Sequence, residues 1–544
     1  MASEIHVRKD IEKLSTAEMD LLIRAFHYIC VELPVTDENS FFQIAGYHGM
    51  PFRGPGWANL GWWGGYCNHG NILFPTWHRA YLLRLEEALR SAPDCASVTM
   101  PYWNELKMEM KHDANSPTGE KLTFTGVPPP IFFEESYSYT NEDGSKGDSI
   151  PNPLFSYKLQ KSIVDNTSKL IDIGNYSKHI GYQTVRYPFS GLVGEGAAPK
   201  TAIHNEQMRL KGKIATDEDL RTNILTWLNA EEYTNSEGKK KPAGVGQCFL
   251  SCLDAPNYTV FSNNTSAKAW NDDHMDEHKH KNVVSLENPH NKVHLAVGGF
   301  QLPGGKSYSY IEGANGDMGE NDTASFDPIF FFHHCFIDLM FWRWQEKKGA
   351  TKTLHIEVPE DYPGTNSIDE QGPTPGVLAG ARLTLDSPLE PFKKTVTDPG
   401  TKKTTIVPKT SVDVTDITAL GYKYDFDNAV EGEPVNKKAE PILSVSGVNR
   451  GDIKGSFVIT TWAEVDGKEV LVDADAHLSR WNVGGCANCQ THLEVGSHVS
   501  LSGFTAEEAK KTTFFNMIHT RDNLKGERLT LPVRIGSNAD AARH

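Results

Sequence analysis

The chain has little cysteine, no long apolar run and no concentrated positive charge, and each shortage removes a class of function. Eight cysteines in 544 residues (Cys30, Cys67, Cys95, Cys248, Cys252, Cys335, Cys486 and Cys489) are too sparse to be needed as a disulfide framework. No uncharged apolar run approaches the ~20 residues required to cross a bilayer, and the opening MASEIHVRKDIEKL lacks the apolar centre of a signal peptide. No membrane partner is therefore expected, and the expected location is cytoplasmic or otherwise intracellular. With 54 Lys and Arg against 70 Asp and Glu, the formal net charge of −16 repels a phosphate backbone, so no nucleic-acid partner is expected. No internal repeat is visible.

What is present is ordinary globular material: 38% hydrophobic and 10% aromatic residues can bury a sizeable core. The length exceeds the roughly 100–200 residues of one domain, so a large core with an appendage is expected. Residues 15–33 predict a helix, with Ser15 and Glu18 as a capping box. In TWHRAYLLRLEEALR, His78, Leu82, Leu85 and Leu89 share one helical face, so a histidine opens a buried stripe. The apolar DPIFFFHHCFIDLMFWRWQ at 327–345 predicts a third helix, with Pro328 suited to its first turn. Between about 105 and 285, glycines, VPPP and a polar stretch predict long loops and short helices. After GYKYDF, residues 427–440 read as a linker, and alternating segments such as SFVITTWAEV and HVSLSGF predict a smaller β domain over 441–544.

The strongest local pattern is PHNKVHLAVGG, where His290 and His294 stand four apart and present both imidazoles from one helical face. A zinc protease would place a glutamate after the first histidine, and here that position is Asn291. Di-iron bundles need inward glutamates and ExxH pairs, which do not accompany these helices. Imidazole-only ligation leaves copper or zinc. Adjacent residues on a helix diverge by about 100°, so of His333 and His334 one alone normally aims into a shared cavity, and periodicity does not choose between them. Upstream, His48, His69 and His78 sit in aromatic and glycine-rich settings, so three ligand candidates mirror three downstream. A further cluster, His274, His278 and His280 in DDHMDEHKH, has flanking charges that predict a solvated loop.

The segments HGMPFRG, CNHG, FPTWHRAYL, PHNKVHLAVGG and DPIFFFHHCFIDLMFW resemble the paired copper regions of the type 3 copper family of tyrosinases, catechol oxidases and hemocyanins. The likeness to fungal tyrosinases extends through NGDMGENDTASFDP, YPGTNSIDEQGPTPG, the tyrosines of GYKY and SRWNVGGCANCQTHL. It implies a mainly α core domain over 1–426, whose four-helix bundle holds a binuclear copper site, and a C-terminal β-sandwich-like domain that covers the entrance in a latent form.

The resemblance implies that His48, His69 and His78 hold the first copper and His290, His294 and His334 the second. His334 is chosen because the family's ligand precedes an Asp by four residues, here Asp338. Two coppers with dioxygen as co-substrate match the two electrons removed when a catechol becomes an o-quinone. By the same likeness, Cys67 forms a thioether with His69, Glu287 and Asn291 polarise a water that takes the phenolic proton, and Phe330 packs beside the second copper. Cys486 and Cys489 offer soft thiolates for copper delivery, and a structural zinc joining them to Cys248 and Cys252 is the weaker alternative. A side chain near His477 and Leu478 is expected to enter the copper pocket. The expected activity is that of a tyrosinase on small phenols, latent until the C-terminal domain is removed near 427–440. The alternatives are a catechol or o-aminophenol oxidase or, more remotely, an oxygen carrier, and self-association into a homo-oligomer is among the expected partnerships.

Overall fold

The computed structural model of the chain describes residues 5–51, 65–112, 120–141, 143–163, 178–193, 196–232, 241–242, 244–277, 280–302, 311–367, 381–426, 441–481, 483, 492–501 and 503–536. The expected linker and Cys486 and Cys489 lie outside the described residues.

Four helices build the core: α1 (Thr16–His27), α2 (Phe74–Arg90), α3 (Glu287–Gly298) and α4 (Ile329–Lys348). The capping box is present at α1: Ser15 Oγ accepts the Glu18 N–H at 3.3 Å, and the Glu18 carboxylate accepts the Ser15 N–H at 2.8 Å. The chain then tightens into a π turn at Tyr28–Glu32, so the predicted helix to residue 33 ends in irregular form. Pro328 caps α4, which is apolar on nearly every face because it runs through the middle of the domain. Phe26 of α1 stacks on Phe332 of α4 at 5.7 Å.

The region expected to hold long loops and short helices carries longer helices than its composition suggested. It holds helices at Ala198–Lys211 and Lys213–Leu228, separated by Gly212 at φ 92°, and shorter ones at Val245–Cys252 and Asn264–His274. The first of these is amphipathic only weakly, which is why periodicity does not reveal it. A parallel pair of short strands, His6–Arg8 with Tyr422–Tyr424, brings the two ends of the helical domain together.

The C-terminal domain has two sheets. Strands β1 (Ile442–Asn449), β4 (Glu494–Ser500) and β7 (Val533–Ile535) form one, in the order β4-β1-β7. Strands β2 (Phe457–Val465), β3 (Lys468–His477), β5 (Thr513–Thr520) and β6 (Glu527–Leu529) form the other, in the order β3-β2-β5-β6. Leu443, Val445 and Val499 of the first sheet pack with Ala463 and Val472 of the second in one buried cluster, the sandwich expected from the alternating segments. Strand β3 lies along α3, which places this domain against the histidine-bearing helices. Among the described residues, no helix is long and apolar enough to cross a membrane.

Candidate metal centre

Each histidine is delivered by a different local device. His48 follows the short helix Phe41–Gly46, His69 sits in the loop before α2, and His78 faces inward from the second turn of α2. Their ring centres lie 5.2–5.7 Å apart, and all three are buried. On α3, the four-residue spacing puts the rings of His290 and His294 4.5 Å apart, as the sequence predicts. His334 on α4 closes the second trio: its Nε2 is 3.2 Å from Nε2 of His290 and 3.4 Å from that of His294. Nitrogens bound tetrahedrally to one metal at about 2.0 Å stand roughly 3.3 Å from one another, so this trio has the spacing of a single coordination sphere.

The two trios face each other. His78 stacks on His334 with ring centres 4.5 Å apart and planes 17° off parallel, and His69 lies 5.7 Å from His290. Phe330 covers the seam, 4.0 Å from the His334 ring and 4.9 Å from that of His48.

The second nitrogen of three rings is held by an acceptor. His78 Nδ1 donates to the Phe74 carbonyl at 2.8 Å, His290 Nδ1 to Asn291 Oδ1 at 2.9 Å, and His294 Nδ1 to the Met318 carbonyl at 2.9 Å. Those bonds assign the proton to Nδ1 and leave the lone pair on Nε2. Burial pushes all six imidazoles below the ordinary histidine value, His78 to about 3, so they are neutral at physiological pH.

His333 shares the buried cluster of His290, His294 and His334; its Nδ1 is hydrogen-bonded to Glu105 at 2.6 Å and its ring stacks on His290 at 5.2 Å. Glu105 was not singled out in the sequence, where it stands among ordinary polar residues of a loop 228 positions away.

Asp338, one turn beyond His334, enters the sequence reading only through the family resemblance. In the fold it accepts Arg79 Nε at 2.5 Å, Arg8 Nη1 at 3.1 Å, Tyr422 OH at 2.7 Å and Tyr424 OH at 2.6 Å. Since Arg79 follows His78, this carboxylate ties the helix of one trio to the helix of the other.

The remaining expected residues are placed as follows. The Glu287 carboxylate accepts the Gly70 N–H at 2.9 Å and the Asn264 N–H at 2.9 Å, clamping the His69 loop to the start of α3. Burial pushes it up to about 7, against the pull of those two N–H groups. Cys67 is buried, and its Sγ accepts a 3.0 Å hydrogen bond from Arg480 of the C-terminal domain. Cys248 lies 3.5 Å from Lys292 Nζ, and Cys252 Sγ donates to the Phe249 carbonyl. Leu478 is buried with the apolar core of the helical domain, and the His477 ring stacks on Phe457 at 4.9 Å.

The expectation of a solvated loop at 274–280 is corrected. His274 stacks on Trp270 at 4.1 Å, and His280 is buried with Nε2 3.0 Å from Asn271 Oδ1; His278 lies outside the described residues. The reason is tertiary: Ser444 and His498 of the C-terminal domain reach Asp272 at 2.6 and 2.8 Å, and Arg534 pairs with Asp276, closing this turn from above.

Two facing trios of neutral, buried imidazoles define the class, a binuclear metal protein whose ligands suit copper or zinc. The common central domain of tyrosinase matches residues 38–347. A tyrosinase of Aspergillus oryzae is 43% identical over 96% of this chain and 94% of its own length, and one from a Hahella species is 43% identical over 96% and 93%. The solved structure of a tyrosinase from Burkholderia thailandensis superposes with a TM-score of 0.76 at 36% identity, covering 98% of this chain and all of that one. The structure of an Aspergillus oryzae holo-protyrosinase, at 17% identity and a TM-score of 0.63, shares the fold. The chain belongs to the tyrosinase family, whose copper-dependent members oxidise phenols to o-quinones with dioxygen.

Proposed function

We propose that His48, His69 and His78 hold one copper ion and His290, His294 and His334 the second, and that monophenols and o-diphenols are oxidised between them. The observation that carries this reading is the stacked pair His78 and His334, 4.5 Å apart, which joins the trios face to face. The bound pair supplies two-electron exchange with dioxygen. The chain's own part is to hold six neutral imidazoles, fix their tautomers through Phe74, Asn291 and Met318, and cover the seam between the trios with Phe330. Copper-treated protein is expected to contain two ions per chain and to convert 4-methylcatechol to its quinone, followed by visible absorbance. One ion per chain, or no quinone, overturns the reading.

Glu287 and Asn291 are proposed to hold the water that takes the phenolic proton. Asn291 keeps its amide N–H groups after binding His290 through Oδ1. A carboxylate titrating at about 7 is a base in its ionised form, so monophenol turnover should rise as pH increases through that value. Glu287→Gln should abolish that limb and lower the ratio of monophenol to diphenol rates about 100-fold; an unchanged ratio removes the role.

The Cys67–His69 thioether is proposed on the two-residue spacing and on the burial of both partners; mass spectrometry of the denatured, copper-treated chain should find it two hydrogens light. Cys486 and Cys489 are proposed to hand copper to the core, so their double replacement by serine should lower copper loading. Removal of the C-terminal domain by cleavage within 427–440 is proposed to relieve latency. An intracellular location and association of identical chains are further parts of this reading. Turnover of tyrosine separates a tyrosinase from an enzyme restricted to catechols or o-aminophenols.

A further inference from the structure

The stretch between α3 and α4 carries four buried carboxylates, Asp317, Glu320, Asp322 and Asp327. Two have cationic partners inside the helical domain: Lys178 lies on Asp317, and Arg186 reaches Asp327 with contacts of 2.6, 2.8 and 3.1 Å. The other two are matched from the C-terminal domain. Arg521 pairs with Glu320 and donates to the Gly319 carbonyl at 2.9 Å. Arg480 donates to Asp322 at 3.0 Å, and the backbone N–H of Trp481 donates to the same carboxylate at 2.9 Å. Between the two acids, Asn321 is 3% exposed, and its Oδ1 has no hydrogen-bond partner among the described residues.

This stretch borders both trios. The Met318 carbonyl holds His294 Nδ1, and the Asp322 carbonyl accepts the N–H of Met50, two residues after His48. Arg480 itself also donates to the His48 carbonyl at 3.2 Å. When the C-terminal domain leaves, Asp317 and Asp327 keep their partners, whereas Glu320 and Asp322 lose theirs beside the copper site. Two carboxylates that hold guanidinium groups, with the Asn321 amide oxygen between them, offer acceptors to a primary ammonium.

We propose that Glu320, Asn321 and Asp322 form a cation subsite at the rim of the copper site, occupied by Arg480 and Arg521 in the intact chain, which selects phenols carrying a protonated amine once that domain is displaced. The arginines act as an internal stand-in for the substrate's cationic tail. Phenols with a carboxylate tail are repelled, and neutral phenols feel neither effect. This inference rests on the proposed copper site and on the C-terminal domain being its cover.

The test uses the full-length, copper-loaded chain cleaved within 427–440, and compares kcat/KM for tyramine, p-cresol and 3-(4-hydroxyphenyl)propionate at low and high salt. Tyramine should exceed the propionate at least about tenfold at low salt, and the gap should narrow as salt screens it. In Glu320→Gln/Asp322→Asn the ratio of tyramine to p-cresol should fall about tenfold. The same ratio in parent and variant, or a parent with no preference for the amine, overturns the subsite. Should the double variant not fold, the salt series on the parent decides, and a ratio indifferent to salt overturns it. No oxidation of p-cresol by the loaded parent would instead strike the copper-site reading beneath it.

Discussion

Four donors from distant segments converge on the single carboxylate of Asp338. Burial by itself would raise its pKa, but Arg79 and Arg8 more than offset that and hold it below the usual carboxylate range. A depressed pKa contributes stability that is complete above the unfolded value near 4 and is lost as pH falls through the lower folded value. Asp338→Ala leaves the buried Arg79 without a carboxylate and Arg8 with Glu86 alone, and should destabilise the chain by about 3–5 kcal/mol in urea unfolding of the metal-free protein. A loss under about 1 kcal/mol would mean that the two arginines find other partners. At this scale His48, His69, His78, His290 and His294 are legible through helical spacing and aromatic surroundings, whereas His334 and Asp338 are marked only by the family resemblance. Glu105 and the Met318 carbonyl are not legible, since a residue's second contact across more than 20 positions leaves no local pattern.

Among the elements, α2 was readable by the buried stripe that His78 opens, α3 by its four-residue histidine spacing and α4 by its apolar run. The weakly amphipathic pair over 198–228 was not, and neither was the long hairpin of Pro388–Thr397 with Thr404–Thr410, whose alternation is blurred by lysine and threonine. One close approach between elements carries a prediction. A Cβ on Gly298, at the end of α3, would sit 2.1 Å from the backbone nitrogen of Gly319. Gly298→Ala must therefore push the 316–322 stretch away, and with it the carbonyl that holds His294. The overpacking should cost about 1–3 kcal/mol, and copper should leave the second trio faster in a chelator-competition assay; equal release rates would show that the stretch shifts without moving His294.

For the whole molecule, the division near 427–440 was visible as a change from helical to alternating pattern, while the way the two parts dock was not. Docking uses ion pairs of Arg480, Arg521 and Arg534 with Asp322, Glu320 and Asp276, together with the His498 contact to Asp272. All of these join residues more than 150 positions apart. Arg480→Ala removes buried contacts to Asp322, to the His48 carbonyl and to Cys67 Sγ, and is expected to raise catechol oxidation by the uncleaved chain, so that protease adds proportionately less. Equal stimulation by protease in both proteins would mean that the cover is held without this arginine.

Under the proposed cleavage within 427–440, the short parallel pair of His6–Arg8 with Tyr422–Tyr424 sets how far trimming can run. Tyr422 and Tyr424 stand only a few residues ahead of the linker, yet their hydroxyls are half of what Asp338 receives. A protease that overruns the linker towards residue 421 would peel away the strand that fastens both ends of the catalytic body. Enzyme shortened that far should lose its grip on α4 and discard metal, so over-digestion ends in inactivation where a slightly later cut ends in release.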